Sequence, residues 1–331
     1  MKALILNEFN TPFLLQEIPA PNIKKWEVLV KIVASGVNPL DLKIKAGKAA
    51  HAQPKLPNAI LGIDMSGIVA AVGGDVKGFT MGDEVFGMVG GIAGIPGTLA
   101  EYVAADPALI ALKPASLSFR EAAALPLNTI TAWEALVDRA AVRKGNTVLV
   151  HGGAGGVGHL AIQIARARGA KVFATVRPGQ QEIVRSFGAT PIDHTSYTVE
   201  SYVNEFTDDE GFDVILDTVG GLVLDASFNA VKRYTGRVVS ILGWGTHSLA
   251  PLSFRGASYS GVFTLYPLIS GSGRQHHGQI LGDVALLVTT GRMRPMVDER
   301  EFSLETIDKA YQCVENGTAN GKIIISINNP E

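Results

Sequence analysis

The sequence predicts an α/β protein in which a doubly wound parallel sheet is inserted between two β-rich segments. Three observations lead to this fold class. From about Ser118 onward, short apolar runs alternate with stretches of helical periodicity, a pattern typical of repeated strand–helix–strand units. The segments on either side are rich in β-branched residues and turn signals. A glycine cluster follows the first strand of the alternating region, and 331 residues are enough for two domains.

The N-terminal segment is predicted to be mainly β-structure. Its β-branched runs are separated by the turn-like sequences PAPN and GGDVKG. A helix is predicted to begin near Ser118, because Glu121 three residues later completes a capping box, and to bend or break at Pro126. The predicted strands of this segment are Lys2–Leu6, Glu27–Ala34 and Met65–Val72.

The central segment alternates between strands and helices, which indicates right-handed crossovers in one parallel sheet. The predicted strands are Thr147–Val150, Lys171–Val176, Asp213–Asp217 and Arg237–Leu242, with Tyr259–Leu265 as a candidate edge strand. The predicted helices are Val157–Arg168, Gln180–Phe187, Val199–Phe206 and Leu222–Lys232. The chain ends near a further strand, KIIISI. We therefore predict a β-rich domain from residues 1–121 and 267–331, and a parallel-sheet domain from residues 122–266.

A glycine cluster lies between the first central strand and its helix, in the sequence TVLVHGGAGGVG (Thr147–Gly158). Its glycines have G-x-G-x-x-G spacing, which suits a tight turn, a close approach of backbone to a pyrophosphate, and close packing of helix on strand. The alternative is a tight strand–helix turn without a ligand. We predict a dinucleotide cradle formed by Gly153, Ala154, Gly155, Gly156, Val157 and Gly158.

The residues that would contact the adenosine ribose are basic or neutral. No Asp or Glu occurs between Gly158 and Glu182, and the second central strand ends at Thr175 and Arg177. A carboxylate at this position accepts hydrogen bonds from the ribose of NAD, whereas a guanidinium binds the 2′-phosphate of NADP. The sequence therefore favours NADPH as the cofactor. The alternative is that Arg177 is a solvated loop residue.

Composition and charge exclude several functional classes. Hydrophobic residues make up 47% of the chain, charged residues 18%, and the net charge is −2. These values do not favour binding to nucleic acid or to an anionic membrane. No stretch is long and apolar enough to span a bilayer and no secretory signal is visible, so we expect a cytoplasmic protein. The single cysteine, Cys313, excludes disulfides and a cysteine-based zinc lobe, and we expect it to be buried and inert.

The chain resembles the medium-chain dehydrogenase/reductase superfamily over nearly its whole length. It is most similar to the zinc-free NADPH:quinone oxidoreductase branch related to ζ-crystallin. The resemblance implies a GroES-like β-rich catalytic domain joined to a Rossmann domain that binds NADPH. Besides the glycine cluster, the motifs that carry it are Ser35–Gly47, Leu61–Gly73, Gly82–Gly87, Leu99–Val103, Ala122–Leu136, Phe212–Gly221 and Asn320–Ile327.

The chain departs from the zinc-dependent enzymes of that superfamily at their metal ligands. Asn38 stands where those enzymes have a cysteine, and Ile63 stands where they have the histidine of a Gly-His-Glu triplet. His276 and His277 are expected to be a surface pair rather than a metal site, so we expect no metal. A conjugated acceptor delocalises the charge that hydride addition creates, and hydrogen-bond donors stabilise that charge without a metal.

The resemblance also implies which residues approach the ligands. Asn38 corresponds to a residue beside the nicotinamide ribose. Lys43 follows Asp41 in a D-x-K pattern similar to that of alkenal and enone reductases, where many quinone-reducing relatives have a tyrosine. We hypothesise that Lys43 donates a hydrogen bond to the ribose or to the substrate oxygen; the alternative is a surface lysine. The other residues that the resemblance places near the cofactor are Thr131, Gly243, Phe263, Asn320 and Lys322.

The sequence therefore predicts an NADPH-dependent reductase that transfers hydride to a quinone or to an α,β-unsaturated carbonyl. Asn38 and Lys43 are its candidate catalytic residues. Two alternatives remain open: an enoyl-thioester reductase, and an NADPH-binding protein with little catalytic activity. The expected partner is a small molecule, and family analogy suggests a homodimer formed by pairing of the Tyr259–Leu265 edge.

Overall fold

A computed structural model describes residues 1–329 of the chain as two compact units. The first unit comprises Met1–Leu127 and the described residues from Leu265 onward, and the second comprises Asn128–Thr264. The first boundary falls within a helix that begins at Pro126, close to the predicted bend. The division into domains that ends at residues 121 and 266 stays a prediction.

The described residues form fourteen strands and eleven α-helices. The strands are β1 (Lys2–Ile5), β2 (Leu14–Glu17), β3 (Val28–Gly36), β4 (Asp64–Val72), β5 (Glu84–Met88), β6 (Tyr102–Ala105), β7 (Ile110–Leu112), β8 (Thr147–His151), β9 (Lys171–Val176), β10 (Thr190–Asp193), β11 (Val214–Asp217), β12 (Arg237–Ser240), β13 (Ser258–Gly261) and β14 (Ile324–Ser326). The helices are α1 (Pro39–Lys45), α2 (Phe119–Ala123), α3 (Pro126–Trp133), α4 (Gly158–Ala167), α5 (Gln181–Ser186), α6 (Val199–Thr207), α7 (Leu222–Ala230), α8 (Ala250–Arg255), α9 (Tyr266–Ser270), α10 (Arg274–Thr289) and α11 (Ile307–Glu315). A π-helix, Glu134–Arg139, continues α3, and short 3₁₀ turns cover Ala50–Ala52, Pro107–Leu109 and Leu304–Thr306.

The first unit is built on an antiparallel sheet in the order β14-β3-β4-β5-β7, with β6 also paired to β3. Strand β3 has the most partners in this sheet, because it pairs with β4, β6 and β14. The β14 pairing sets Ile324 opposite Gly36. The last strand of the chain therefore lies beside the segment that leads from β3 into α1, and this pairing positions one part of the candidate site.

The second unit contains a six-stranded parallel sheet in the order β10-β9-β8-β11-β12-β13. Counted from β8, this order is 3-2-1-4-5-6, which is the order of dinucleotide-binding sheets. Its switch point lies between β8 and β11, where the crossovers change direction. Aromatic side chains such as Phe173, Phe212 and Phe228 fill the core. The predicted α/β fold class is confirmed.

The capping box and helix break predicted around Ser118 are also confirmed. Glu121 Oε2 accepts a hydrogen bond from the Ser118 backbone N–H at 2.8 Å, and α2 ends before Pro126 begins α3. Proline fits this first position of α3 because a helix leaves the N–H of its first residue without an internal acceptor.

Three predicted elements end at least two residues earlier than expected, and one of them is β12, which ends at Ser240 rather than at Leu242. The edge strand is Ser258–Gly261 rather than Tyr259–Leu265, because Leu265 already caps α9. Phe263 therefore lies outside the strand. Helix α7 ends at Ala230 rather than Lys232, because Phe212 forms a β-bridge with Val231 and draws the chain into an extended conformation.

Two predictions about burial were wrong in part. His276 is exposed, as expected for a surface pair, but His277 is fully buried on α10. Successive helical residues are about 100° apart, so one histidine faces the core when the other faces solvent. Cys313 is only partly buried on α11, and its Sγ accepts a hydrogen bond from Arg300 Nη1 at 3.3 Å. Within residues 1–329, every helix is too short or too polar to cross a bilayer.

Candidate functional site

The glycine turn after β8 allows chain segments to approach closely. Gly152 has a φ of 71°, so the left-handed residue of the turn is Gly152 and not Gly153. A Cβ on Gly153 would lie 2.5 Å from the Cβ of Ala174 on the neighbouring strand. A Cβ on Gly158 would lie 2.2 Å from the Gly152 carbonyl oxygen. These positions therefore require glycine for packing of strand β9 and helix α4 against the turn.

The backbone between the turn and α4 has the properties of an anion site. The amide groups of Gly156 and Val157 have no hydrogen-bond acceptor among residues 1–329. Helix α4 begins at Gly158, and its N-terminal end carries the positive end of the helix dipole. A Cβ on Gly155 would meet only the Gly152 carbonyl oxygen, at 3.1 Å. Free amide groups and little side-chain bulk are the features that a pyrophosphate requires, so these residues fit the phosphates of a dinucleotide.

Thr175, a residue of β9, holds the glycine turn in place through two hydrogen bonds. Its Oγ1 accepts a hydrogen bond from the Gly152 N–H at 3.2 Å, and its carbonyl oxygen accepts one from the Gly153 N–H at 3.0 Å. The same hydroxyl lies 3.1 Å from Nδ1 of buried His151. Burial lowers the pKa of His151 to about 4, so the imidazole is neutral at physiological pH. The role of His151 was not predicted, because no local pattern pairs it with Thr175.

Arg177 follows directly after β9 and is exposed. Its backbone N–H donates to Gln180 Oε1 at 3.2 Å. Among residues 1–329, its guanidinium has no hydrogen bond or ion pair. The five N–H donors of this side chain are therefore available to an anionic ligand. Its contact with a cofactor stays a prediction.

Strands β11 and β12 of the parallel sheet end at a second buried hydrogen-bonded group, which contains Asp217 and Ser240. Asp217, at the end of β11, accepts hydrogen bonds from the Val219 and Gly220 amides, each at 2.9 Å. Ser240, at the end of β12, donates to Asp217 Oδ2 at 2.7 Å. Asp217 therefore shapes the loop at the sheet edge where ligands bind in such folds. Sequence reasoning missed this role.

Three predicted cofactor residues of the second unit lie in different surroundings. Gly243 follows β12, where a Cβ would lie 2.1 Å from the hydroxyl oxygen of Tyr259. Thr131 is buried in α3, and Phe263 is 39% exposed after β13. Gly243 is thus explained by packing alone, and the contacts of all three residues with a cofactor stay predictions.

The first unit contains a buried polar cluster that consists of Asn38, Asp41, Asp64 and Lys322. Lys322 Nζ lies 3.0 Å from Asp64 Oδ2 and also donates a hydrogen bond to Asn38 Oδ1. Asn38 Nδ2 donates to the same Asp64 oxygen at 2.9 Å. The other Asp64 oxygen accepts from the Leu127 N–H at 2.8 Å. Each of the four residues is at most 7% exposed, so the cluster is shielded from solvent.

Asp41 is the part of the cluster without a cationic partner of its own. Its Oδ2 accepts a hydrogen bond from the Asn38 backbone N–H at 2.7 Å, while Oδ1 has no hydrogen-bond partner within residues 1–329. Burial, aided by the nearby charge of Asp64, raises the pKa of Asp41 to about 7. Protonation of Asp41 therefore brings the net charge of the cluster, which has two carboxyl groups and one ammonium, close to zero.

The remaining predicted residues of the first unit are at the surface. Lys43 is exposed on α1, and its side chain has no hydrogen bond or ion pair within residues 1–329. Asn320 is exposed, and its backbone N–H donates to Asp298 Oδ2 at 2.8 Å. Arg300, which binds Asp298 through two nitrogens, holds the pKa of Asp298 well below its usual range. This arrangement anchors the loop that precedes Lys322.

The residues at the positions where the resemblance puts the zinc ligands of metal-dependent enzymes do not fit zinc. Ile63 is fully buried and has no ligand atom, and the oxygens of Asn38 and Asp64 both bind the Lys322 ammonium. Within residues 1–329, no group of three or more His, Cys, Asp or Glu side chains is arranged to hold a metal ion. A zinc ion at this point would have to displace a buried cation.

Comparison with known proteins identifies relatives over the full chain. Residues 24–115 match the alcohol dehydrogenase GroES-like domain, and residues 187–325 match a domain described as zinc-binding dehydrogenase. A 2-methylene-furan-3-one reductase of Solanum lycopersicum is 36% identical, with 98% of this chain and 79% of the relative covered. The chloroplastic NADPH-dependent alkenal/one oxidoreductase of Arabidopsis thaliana is 34% identical, with the same coverage.

A solved structure is still more similar. The crystal structure of an alcohol dehydrogenase superfamily protein from Novosphingobium aromaticivorans is 54% identical, with a TM-score of 0.96, and the match covers 99% of this chain and 100% of that chain. The order of elements described above is therefore that of an alcohol dehydrogenase superfamily member.

The raised pKa of Asp41 predicts a specific pH dependence of stability. A carboxyl group with a pKa of about 7 when folded and about 4 when unfolded stabilises the fold below pH 4, and this stabilisation is lost as the pH rises to 7. The loss is on the order of 4 kcal/mol, because each unit of pKa corresponds to about 1.4 kcal/mol. Relative to wild type, Asp41→Asn should therefore gain stability between pH 4 and 7. Urea unfolding at several pH values measures the difference.

Asp75→Asn is the matched control, because Asp75 is an exposed carboxylate of the same unit and its replacement should leave the difference between the curves unchanged. Parallel curves for wild type and Asp41→Asn would contradict a protonated Asp41.

Proposed function

Because this chain belongs to the medium-chain dehydrogenase/reductase superfamily, in its quinone oxidoreductase-like branch, we propose that it is an NADPH-dependent reductase of α,β-unsaturated carbonyls or quinones that works without a metal. The observation that carries the proposal is the Lys322 ammonium, which binds the oxygens of Asn38 and Asp64. An isolated carbonyl relies on a Lewis acid to stabilise the alkoxide formed by hydride addition. A conjugated acceptor spreads that charge and needs only hydrogen-bond donors.

The proposed reaction is addition of a hydride to the acceptor, followed by addition of a proton. The free amides of Gly156 and Val157 and the guanidinium of Arg177 would hold NADPH, which would supply the hydride for a new C–H bond at the β-carbon of the conjugated carbonyl. The electron pair of the C=C bond moves toward the carbonyl oxygen and produces an enolate, and a proton from solvent completes the product. The protein orients the acceptor and stabilises the oxygen charge with N–H donors, for which Asn38 and Lys43 are the candidates. Positioning and electrostatics then account for most of the rate.

Among conjugated acceptors, we favour enones and alkenals. The two plant relatives are named as reductases of a furanone and of alkenals or alkenones. Lys43 supports this preference, because its exposed ammonium is a stronger hydrogen-bond donor than the tyrosine of many quinone-reducing relatives. Residence in the cytoplasm stays a prediction, since relatives include chloroplastic and mitochondrial proteins.

A panel of acceptors tests the proposed function. NADPH oxidation is followed with an alkenal, a cyclic enone, a quinone, an enoyl-CoA and a saturated aldehyde. We expect kcat/KM to be highest for the alkenal or the enone, with the saturated aldehyde inactive. The highest kcat/KM with enoyl-CoA would support an enoyl-thioester reductase, and NADPH binding without turnover would support a cofactor-binding protein. Rapid reduction of the saturated aldehyde would contradict the proposal.

The proposed role of Lys43 is tested with the acceptor that the panel selects. Lys43→Met removes the ammonium and retains most of the aliphatic stem. If Lys43 donates to the substrate oxygen, kcat/KM should fall by about tenfold or more, because a charge-assisted hydrogen bond contributes about 1.5–3 kcal/mol. Unchanged turnover and unchanged Michaelis constants for both substrates would assign Lys43 to the solvated surface. Lys48→Met, an exposed lysine just after α1, is the control.

The preference for NADPH over NADH is proposed to reside in Arg177. Arg177→Ala should raise the KM for NADPH by at least tenfold and change the KM for NADH by less than twofold, because only NADPH has a 2′-phosphate for the guanidinium. Steady-state kinetics with both cofactors measure the ratio. Arg233→Ala, which removes another exposed arginine of the same unit, should leave the ratio unchanged. Equal increases for both cofactors in Arg177→Ala would refute the assignment.

We also propose a homodimer formed through the edge of the parallel sheet. Strand β13 is an unpaired edge among the described strands, and most of its residues are exposed. Phe254 is 88% exposed and Tyr234 is 87% exposed, and the Tyr234 N–H donates to the Arg255 carbonyl oxygen, so both aromatic rings are carried by one region of the surface. Exposed edges and aromatic patches are typical of association sites. Sedimentation equilibrium decides the proposal, and a monomer contradicts it.

A further inference from the structure

We propose that His247 is a pH-sensitive anchor for the loop between β12 and α8, and that it links the affinity for NADPH to pH. The loop comprises residues 241–249 and is called the Trp244 loop below. A protonated His247 holds this loop against α7, and a neutral His247 releases it. The link to NADPH rests on the proposed function, whereas the anchor rests on contacts within the second unit alone.

Both ring nitrogens of His247 face hydrogen-bond acceptors. Nδ1 lies 2.8 Å from Asp225 Oδ1 on α7, and Nε2 lies 3.2 Å from the carbonyl oxygen of Trp244. A carboxylate and a carbonyl oxygen only accept hydrogen bonds, so each contact needs a hydrogen on the ring nitrogen. A neutral imidazole has one such hydrogen, and an imidazolium has two. Only the imidazolium therefore satisfies both contacts.

The elements around His247 favour the protonated form. The charged groups that raise its pKa are Asp225 of α7 and Asp217 at the end of β11. Phe228 of α7 packs edge-on against the ring, with centroids 6.4 Å apart. Tyr259 of β13 packs on Phe228 in turn, and because burial raises the pKa of Tyr259, its hydroxyl stays neutral. The imidazolium is therefore surrounded by acidic and uncharged groups.

The loop is held at low pH and released at high pH. The hydrogen bond to Asp225 raises the pKa of His247 above its ordinary value of 6.5, against the opposing effect of partial burial. The stabilisation that comes from the imidazolium is therefore fully present below pH 6.5, and it is lost as the pH rises through the raised pKa. In the neutral form the remaining N–H stays with Asp225, because a charged acceptor binds it more strongly than a carbonyl does. The lone pair on Nε2 then repels the Trp244 carbonyl oxygen.

His247 is the one enclosed residue in the exposed part of the loop. Residues 243–249 are otherwise exposed, whereas only 12% of the His247 side chain is exposed. Trp244 itself is 59% exposed, so its ring adds little packing to hold the segment in place. Loss of the contact with Nε2 should therefore let the Trp244 segment move.

Close contacts connect the Trp244 loop to the glycine turn that is proposed to hold NADPH. A Cβ on Gly152 would lie 2.8 Å from Thr218 Oγ1, so the segment after β11 touches the glycine turn. A Cβ on Gly220, in the same segment, would lie 2.7 Å from the carbonyl oxygen of Leu242 at the start of the Trp244 loop. The three segments are therefore neighbours at the carboxyl edge of the sheet, where ligands bind in such folds. When the loop is already held, a cofactor has less backbone to order as it binds, so protonation of His247 should increase the affinity for NADPH.

A first experiment measures the loop without any cofactor. The three tryptophans are labelled with 5-fluorotryptophan, and the ¹⁹F resonance that is absent from Trp244→Phe is followed from about pH 5.5 to about pH 9.5, which spans the titration of histidine. We expect this resonance to shift with a midpoint above pH 6.5. The resonances of Trp26 and Trp133 are internal controls and should not follow that midpoint.

Three variants assign the shift to His247. His247→Gln is uncharged at every pH and should abolish the shift of the Trp244 resonance. Asp225→Asn keeps the histidine but removes the charged acceptor, so the midpoint should move to lower pH. His194→Gln removes an exposed histidine of the same unit and should leave the midpoint unchanged. A shift that persists in His247→Gln, or a Trp244 resonance that does not move in wild type, would overturn the inference.

A second experiment measures the Kd for NADPH at about pH 6 and about pH 9, on either side of the expected transition. The 2′-phosphate titrates equally with wild type and with His247→Gln, so the ratio of their Kd values isolates the anchor. We expect His247→Gln to bind NADPH about threefold or more weakly at the lower pH, which is the factor that one hydrogen bond contributes, and about as tightly as wild type at the higher pH.

The outcomes separate this inference from the proposed function. If NADPH binds and the ratio of Kd values is the same at both pH values, the inference is overturned and the proposed function stands. If wild type binds no NADPH while the Trp244 resonance still titrates with His247, the proposed function is rejected and the anchor is supported.

Discussion

The pairing of β14 with β3 is the constraint on which the candidate site residues of the first unit depend. It joins residues 284 positions apart, Lys322 and Asn38, in one hydrogen bond and carries the only cation of the buried polar cluster to its place. Without that pairing, Asp41 and Asp64 would be two buried carboxylates with no counter-charge. A buried charge is tolerated only when it is paired and hydrogen-bonded, so sheet formation and assembly of the polar cluster must occur together.

The two units offer different kinds of chemical group to a ligand. The second unit offers backbone: free amides, glycines and the end of a helix, with one flexible guanidinium at the edge. These groups suit a phosphate, whose charge is spread over several oxygens and needs many weak donors. The first unit offers side chains whose protonation and orientation are fixed by burial. Such groups suit a reacting atom, at which charge develops in one place.

The sequence predicted the features that depend on local order. The glycine cluster and the capping box at Ser118 each depend on residues close together in the chain, and the alternation of strands and helices predicted the parallel sheet that the structure contains. Resemblance to known enzymes then identified Asn38 and Lys322 as separate candidates. Neither source predicted that the two side chains bind each other, because their contact depends on the pairing of distant strands.

Features set by burial were also beyond the sequence. The backbone hydrogen bond of Asp41 is local, because it joins the first turn of α1 to Asn38, but the raised pKa of Asp41 depends on burial. His277 was assigned to the surface with His276, although a helix turns the two side chains to different sides. Edge strand β13 was predicted too long, because the cap of α9 competes for its last residues.

The contrast between Arg177 and Lys322 has an evolutionary consequence. Arg177 is exposed and its guanidinium is unpaired within the described chain, so its replacement leaves the fold without a lost contact. Lys322 is buried with Asp64, and replacement of either residue alone leaves a buried charge without its partner. A metal site at this point would need several coordinated replacements at once, because the oxygens of Asn38 and Asp64 are held by the Lys322 ammonium. Position 177 can therefore change by single substitutions without loss of stability, whereas positions 64 and 322 can change only together.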